Sequence, residues 1–434
     1  MITIDCLRAS TVGAFGGKKL TPNIDKLANK SIKFTRAFAN GPGTTQSFPA
    51  ILTSRYFLMQ KGLRPQDNCI TLAEVLSNNG YKTVAFHSNP FLSTFFGWDR
   101  GFKEFYDFIR ETKSPSAAIS QDGIFKWFLK KLAKKFKLGY NKKFQKLLKI
   151  IYFWFSSYQV PYLEAIELND HVFRWITKNK DDKFFLWMHY MDPHPPFIPP
   201  EHYLTNFNTR IEAFKFNMQV NIEKLSQGQL HLLKDLYESE VRYVDDSIGN
   251  LIKFLNKENI LNKSLIIFLS DHGYAFMEHN KFGHNPEILY NEVLHVPLFI
   301  YGLGIYKEIN VPVQLLDVSP TILNINGIRK PKKFIGDSLL SSIKNYEISK
   351  TIFSESAKPD LINLKFDTSK KIISCIKGNW KLINNELWGT QELYNLEKDF
   401  HEKINLVETE KQIFNELNQD IYNHLFFREE ILKC

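Results

Sequence analysis

The chain has 434 residues, 44% of them hydrophobic and 24% charged, which is the composition of a globular protein of two or three domains and excludes wholesale disorder. The formal net charge is +10, and the only cysteines are Cys6, Cys69, Cys375 and Cys434. Four scattered cysteines exclude a disulfide framework and a cysteine-rich zinc module, and the short apolar runs exclude a multi-span transporter.

The first third of the chain alternates strand and helix signals. Residues 2–4 predict a short strand that follows Met1 directly, without a signal peptide, and this predicts a cytoplasmic protein. Thr21 as the N-cap, followed by Pro22 at the first helical position, predicts a helix that runs through Leu27. Residues 81–86 predict another strand.

The excess positive charge comes from one segment. Residues 126–149 contain ten lysines and no acid, and the remaining 46 basic residues balance the 46 acidic ones. Apolar residues recur at helical spacing on both sides of Gly139, which predicts a basic helical hairpin inserted at about residues 115–160. The hairpin could be a lid packed on the main domain, or could contact an anionic membrane surface through residues 125–155. No nucleic-acid partner is predicted, because no nucleic-acid-binding module surrounds the segment.

Two apolar runs, residues 183–189 and 264–270, are typical of central strands, and a long helix is predicted between them over residues 227–255. This alternation predicts an α/β catalytic domain with a largely parallel sheet over residues 1–335. Short strands and a charged terminal helix then predict a smaller α+β subdomain over residues 340–434, with strands at 372–375, 380–383 and 392–396 and the helix near 408–432.

Polar residues follow four of the predicted strands, and ligands bind outside the carboxyl ends of strands in open α/β sheets. These residues are Asp5; His87, Ser88 and Asn89; His189, Asp192 and His194; and Asp271 with His272. Together the four strand ends predict one polar site, although any single one could be a cap or a buried hydrogen-bonding group.

Three of these residues suit a divalent cation. Asp5, Asp271 and His272 supply two carboxylates and an imidazole, a set that fits Ca²⁺, Mg²⁺, Mn²⁺ or Zn²⁺. Such a cation polarises an ester oxygen and lowers the pKa of a coordinated hydroxyl. The alternative is that Asp271 only caps a turn after its strand.

A glycine turn runs into an apolar helical stretch at residues 41–55. The hydroxyl of Thr44 is predicted to lie in the positive field of that helix N-terminus, where an alkoxide or a bound oxyanion is stabilised. The alternative is that Thr44 is simply the N-cap of the helix.

In this order, the motifs of the chain resemble those of the sulfatase family of the alkaline phosphatase superfamily. The resemblance runs nearly end to end and leaves out only residues near 110–180. It is carried by IDCLR (4–8), TPNIDKLA (21–28), ILTSR (51–55), FFGWDRGFKEF (95–105), MDPHPPF (191–197), SDHG (270–273), GH (283–284), LYNEVLHVP (289–297), LDVSPT (316–321) and ELYNLEKD (392–399).

The resemblance implies an alkaline-phosphatase-like three-layer sandwich with a central, largely parallel sheet. It implies one divalent metal ion and an anionic ester as the substrate. Ca²⁺ and Mn²⁺ are favoured as the metal over Zn²⁺ and Mg²⁺. The implied metal ligands are Asp5, Thr44, Asp271 and His272.

The resemblance also implies roles in catalysis and substrate binding. The nucleophile position falls on Thr44, and His194 and His284 would contact the transferred group or protonate the leaving oxygen. Asn89 and His189 are candidates for binding the ester. Arg8 is a third candidate, with a structural ion pair as its alternative.

The chain departs from the family pattern at the nucleophile. Typical members convert a cysteine or serine to formylglycine, whereas residues 44–48 read TTQSF, and threonine cannot supply that aldehyde. Phe48 replaces an arginine, Cys6 stands at the usual second metal aspartate, and His284 stands where a lysine is often found. Thr45 and Ser47 are weaker candidates for the nucleophile.

The threonine makes the chain more similar to the superfamily's phosphodiesterases, phosphonate hydrolases and head-group transferases. The leading hypothesis is a metal-dependent hydrolase of sulfate or phosphate esters that forms a covalent threonine intermediate. A transferase of the phosphoethanolamine or glycerophosphate type, acting on lipid or glycan head groups, is the alternative. An inactive protein that binds an anion with this fold is the third reading.

Overall fold

The computed structural model describes residues 1–60, 63–109, 162–344, 350–360 and 365–433. The strands are β1 Ile2–Ile4, β2 Ser31–Phe34, β3 Ala37–Phe38, β4 Lys82–His87, β5 Glu104–Asp107, β6 Phe184–Tyr190, β7 Ile266–Ser270, β8 Ala275–Phe276, β9 Phe282–Gly283, β10 Leu298–Tyr301, β11 Lys307–Ile309, β12 Val313–Gln314, β13 Ile352–Asp360, β14 Lys365–Lys377, β15 Trp380–Asn385 and β16 Thr390–Asn395. The α-helices are α1 Pro22–Ala28, α2 Thr44–Thr53, α3 Leu72–Asn78, α4 Ala165–Asn179, α5 Arg210–Gln219, α6 Gln227–Lys257, α7 Asn291–Leu294, α8 Val318–Ile325, α9 Leu340–Lys344 and α10 Lys411–Lys433.

Eight strands form the central sheet, in the order β11-β2-β10-β7-β1-β6-β4-β5. The five strands from β7 to β5 run parallel, and β10 is antiparallel to both of its neighbours. The four strands whose ends carry the polar residues, β7, β1, β6 and β4, are therefore adjacent. This arrangement confirms the predicted α/β fold with a largely parallel sheet.

Helices cover both faces of the sheet, because the central strands are apolar on both sides. In β7, Ile267 and Leu269 pack on one face against residues of α2, α3 and α8, whereas Ile266 and Phe268 pack on the other against residues of α1, α4 and α6. The result is the predicted three-layer arrangement, with a hydrophobic core on each side of the sheet.

The start of α1 differs from the prediction in its detail. Thr21 does precede the helix, and Pro22 is its first residue, but the Thr21 hydroxyl makes no capping bond to the helix backbone. It donates instead to Oδ1 of Asp25 and accepts from the backbone N–H of Gly13. Thr21 thus connects the helix to the loop that follows β1.

The C-terminal part forms a second sheet, in which β13, β14, β15 and β16 pair antiparallel in chain order. Leu417 and Ile421 of α10 pack against this sheet. The α+β character predicted past residue 340 is confirmed, and the strands are longer than predicted. The boundary between the two domains stays a prediction.

The predicted basic hairpin at about residues 115–160 lies outside the described residues, and membrane contact through residues 125–155 stays a prediction. Among the helices of the described ranges, none combines the length and the apolar character that crossing a membrane requires.

Candidate active site

The register of the central sheet brings the first and fourth polar strand ends together. Ile4 at the end of β1 pairs with Tyr190 of β6 on one side and with Ser270 of β7 on the other. Asp5 and Asp271, one residue further along, therefore emerge side by side at the carboxyl edge. Both side chains are fully buried.

Thr44 faces these carboxylates from the N-terminus of α2. The turn before it requires glycine, because a Cβ on Gly41 would lie 2.3 Å from Cβ of Gln46. Gly43 is the N-cap and Thr44 is the first helical residue, so Thr44 is not the cap. Its Oγ1 lies 3.4 Å from Asp5 Oδ2 and 3.5 Å from His272 Nε2.

The two carboxylates fit a bound cation. Asp5 Oδ1 and Asp271 Oδ2 accept no hydrogen bond from any described residue, although both are buried. Burial, and then the charge of Asp5, raises the pKa of Asp271 well above its usual value. Burial acts the same way on Asp5, but His194, His189 and His272 hold the pKa of Asp5 well below its usual range. A divalent cation between two such carboxylates would supply the missing positive charge.

His272 is oriented towards the same point. Its Nδ1 lies 2.9 Å from the carbonyl oxygen of Gly273, and a carbonyl only accepts, so Nδ1 carries the proton. The lone pair of Nε2 then points into the site, 3.4 Å from Asp5 Oδ1 and 3.5 Å from Asp271 Oδ2. A histidine fixed through its outer nitrogen in this way is typical of metal ligands.

His189 and Asn89 both contact Asp5. His189 Nε2 lies 3.4 Å from Asp5 Oδ2, and one ligand atom each from Asp5, His189 and Asp271 lies within 4.8 Å of the others. Asn89 Nδ2 donates to Asp5 Oδ2 at 3.1 Å. The imidazole of His189 is fully buried against Phe48, so this histidine contacts Asp5 from the protein interior.

His194 and His284 form the more open side of the site. Their rings lie 5.3 Å apart, and the ring of His284 lies 4.7 Å from that of His272. Both are only half-buried, in contrast to Asp5 and Asp271. Burial, and then His272 and His194, lowers the pKa of His284 well below its usual value.

Three predicted candidates are engaged elsewhere. The Arg8 guanidinium binds Glu278 at 2.9 Å, which is the structural ion pair that the sequence left open. The Ser47 hydroxyl donates to the backbone oxygen of Asp271 at 2.6 Å, and the Thr45 hydroxyl donates to Gln46 at 2.7 Å. These bonds leave Thr44 as the hydroxyl that faces the carboxylates.

His87 does not join the polar site that the four strand ends predict. It ends β4, one strand beyond β6, where it stacks on Trp187 and contacts the edge of Phe105. Neither ring nitrogen has a hydrogen-bond partner among the described residues. Burial lowers the pKa of His87 to about 3, so it is a neutral ring in the core.

Replacement of His87 by phenylalanine is expected to make the protein less sensitive to acid. The imidazole of His87 binds a proton near pH 6.5 in the unfolded chain and near pH 3 in the folded protein. The free energy of unfolding of the wild type therefore keeps its full value with respect to this group above pH 6.5 and decreases as the pH falls towards 3. At about pH 5 the variant should gain on the order of 2 kcal/mol relative to wild type, beyond any difference at pH 8. Urea unfolding at both pH values measures this. The control is His231→Gln at an exposed position, and equal acid sensitivity of wild type and His87→Phe would contradict the expectation.

The family model of the sulfatases matches residues 1–328. The chain belongs to the sulfatase family. Membership confirms the resemblance that the motifs carry, and with it the prediction of a sulfatase-like ester hydrolase. It leaves the use of Thr44 as the nucleophile open.

Two sulfatase relatives are similar to this chain, one over nearly its whole length and one over about a third of it. Over 99% of its length the chain is 23% identical to an arylsulfatase of Clostridium perfringens, of which 94% is covered. A shorter stretch, 32% of the chain, is 32% identical to arylsulfatase K of Mus musculus and covers 25% of that protein.

Two solved structures show the same fold. The phosphonate monoester hydrolase of Agrobacterium radiobacter superposes with a TM-score of 0.72 at 18% identity, covering 99% of this chain and 95% of the other. A protein solved in complex with its substrate D-glucosamine-2-N,6-O-disulfate superposes with a TM-score of 0.73 at 16% identity, covering 99% and 97%. The alkaline-phosphatase-like fold is thereby confirmed.

Proposed function

We propose that the protein is a metal-dependent hydrolase that transfers the sulfuryl or phosphoryl group of an anionic ester to Thr44 and then to water. The observation that carries the proposal is the position of the Thr44 hydroxyl. It lies at the first turn of α2, within 3.5 Å of Asp5 and His272 and beside two carboxylate oxygens without partners among the described residues.

The metal-binding residues of the proposal are Asp5, Asp271 and His272, with Thr44 as the fourth and His189 supporting Asp5. Two carboxylates, an imidazole and a hydroxyl suit Mn²⁺ or Ca²⁺, and also Mg²⁺ or Zn²⁺. When bound, such an ion lowers the pKa of a neighbouring hydroxyl and offsets negative charge on the ester.

The chain's own groups prepare Thr44 for attack. The Thr44 hydroxyl donates to Asp5 Oδ2, which orients Oγ1, and Asn89 donates to the same oxygen and so holds it in place. The N-terminus of α2 stabilises negative charge on Oγ1. Attack forms a bond from Oγ1 to sulfur or phosphorus and breaks the bond to the leaving oxygen, which takes up the proton that Thr44 loses.

The second step releases the covalent threonine ester. Water attacks the sulfur or phosphorus, the bond to Oγ1 breaks, and Oγ1 takes up the proton that the water loses. His194 and His284, on the open side, are placed to contact the transferred group in both steps. An acceptor hydroxyl in place of water would make the protein a transferase, and the site admits that alternative.

Removal of the divalent ion is expected to abolish hydrolysis. The test compares an aryl sulfate monoester with a phosphate diester that bears the same aryl group, each after EDTA treatment and after addition of Mn²⁺ or Ca²⁺. We expect a loss of about a hundredfold or more with EDTA and recovery with at least one ion. The ester that is cleaved identifies the substrate class, and an anionic sulfated glycan is the first natural candidate because a structural relative was solved with one.

The outcomes of this assay distinguish the three functional hypotheses, namely a hydrolase, a transferase and an inactive anion-binding protein. Cleavage that resists EDTA would contradict the proposal. Cleavage that accelerates when an alcohol is added, with the alcohol ester as the product, would identify a transferase. Absence of cleavage with stoichiometric metal bound would favour the inactive anion-binding protein.

A further inference from the structure

A second group of side chains that could hold a metal ion lies beside the site and includes the two half-buried histidines. Cys6 follows β1, His194 follows β6 and His284 follows β9, so three separate segments of the chain contribute. The sulfur of Cys6 and one nitrogen from each histidine all lie within 4.8 Å of one another. None of these three residues belongs to the set of Asp5, Thr44, Asp271 and His272.

The ring of His194 is oriented by a hydrogen bond at its outer nitrogen. Its Nδ1 lies 2.7 Å from the carbonyl oxygen of Pro195. Because a carbonyl only accepts, Nδ1 donates, and in the neutral ring the lone pair is on Nε2. This is the same arrangement as in His272, whose Nδ1 contacts the carbonyl of Gly273. An outer nitrogen that donates to a carbonyl is the usual support of a metal-binding histidine.

Cys6 adds a ligand of a different chemistry. It is a buried free thiol held at a backbone φ of +59°, and its Sγ lies 3.9 Å from Nδ1 of His272. Sulfur and imidazole ligands favour Zn²⁺ over the hard ions Ca²⁺ and Mg²⁺. In a filled tetrahedral site, ligand atoms are about 3.3–3.7 Å apart, so a shift of about 1 Å closes this group around an ion.

We propose that Cys6, His194 and His284 form a second cation site, selective for Zn²⁺, beside the site at Asp5 and Asp271. The thiol releases its proton to the buffer as the bond from sulfur to the metal forms. Three protein ligands leave one position open, and an oxygen of the ester can take it. The existence of the site does not depend on the proposed hydrolysis. Its role in hydrolysis does, because His194 and His284 would then reach the ester through the cation.

Titration of the metal-free full-length protein with Co²⁺ tests the proposal. Cobalt bound to a thiolate has a near-ultraviolet charge-transfer band that cobalt bound to oxygen and nitrogen lacks. Wild type should bind two equivalents and show the band. Cys6→Ser should bind one equivalent without the band, and Asp271→Asn should keep the band while losing the other equivalent. The matched control is Cys375→Ser, a buried free thiol in the C-terminal sheet, which should behave as wild type.

Either of two results would overturn the proposal: one equivalent in wild type, or a thiolate band that persists in Cys6→Ser. His194→Gln and His284→Gln, at half-buried positions, repeat the test if Cys6→Ser does not fold, and each should weaken the band. Failure of the proposed hydrolysis is seen separately. A protein that binds two equivalents but cleaves neither ester would contradict the proposed function and leave the second site standing.

Discussion

Replacement of Thr44 by alanine is expected to lower the rate of ester hydrolysis by about a thousandfold or more, because it removes the hydroxyl that accepts the transferred group in the proposed mechanism. The fold should survive, since Thr44 is the first residue of α2 and its hydroxyl makes no N-cap bond. Serine at this position keeps the hydroxyl and should retain part of the activity. The measurement is kcat with the better of the two aryl esters, under saturating metal.

Thr45→Ala is the matched control for Thr44→Ala. Thr45 is the next residue of α2, and its hydroxyl bonds to Gln46 and not to the carboxylates. We expect its kcat to remain within about threefold of wild type, because the substitution leaves the reacting atoms in place. Equal losses in the two variants would show that the helix N-terminus as a whole matters, and full activity in Thr44→Ala would exclude the covalent threonine intermediate.

The sequence could predict that the carboxylates of Asp5 and Asp271 come together, because their positions follow from a general rule. Asp5 and Asp271 each end an apolar strand, and parallel strands carry their carboxyl ends to one edge of a sheet. Thr44 could be predicted because a glycine turn followed by a helix places a hydroxyl at the helix N-terminus. For these residues, the chemistry is set by local sequence and by the fold class.

Strand order is what the sequence could not provide. His87 and His189 end similar apolar strands, yet β6 lies next to β1 and β4 lies one strand further out. His189 therefore contacts Asp5, whereas His87 packs between Trp187 and Phe105. The approach of Cys6, His194 and His284 to one another was equally hidden, because it depends on the paths of three segments and on no spacing within any of them.

Replacement of Lys381 by methionine is expected to lower the free energy of unfolding by about 3–5 kcal/mol. Lys381 of β15 is fully buried, with Nζ 2.6 Å from Glu402 Oε1 and 3.0 Å from Asn291 Oδ1. Without the ammonium, the buried Glu402 carboxylate keeps one hydrogen-bond donor among the described residues, the N–H of Asn291 at 2.7 Å. Denaturant unfolding of the full chain measures the loss.

The effect of Lys381 should reach the candidate active site, because Asn291 begins the segment that holds the turn after His272. The backbone N–H groups of Gly273 and Tyr274 donate to the carbonyl oxygens of Val293 and Glu292, directly after His272. The C-terminal sheet is thus linked to Asp271 and His272 through α7. Lys381→Met should therefore lose activity at a lower temperature than wild type.

Lys377→Met is the matched control, since Lys377 of the neighbouring strand β14 also binds two acceptors, Glu416 at 2.8 Å and Asp420 at 3.0 Å. Its side chain is 38% exposed, against 0% for Lys381, so water screens these ion pairs and the loss should stay within about 1 kcal/mol. Lys381→Met combined with Glu402→Leu should be less destabilised than Lys381→Met alone, because no buried charge is then left unpaired. Equal losses at Lys381 and Lys377 would show that burial does not decide the strength of these ion pairs.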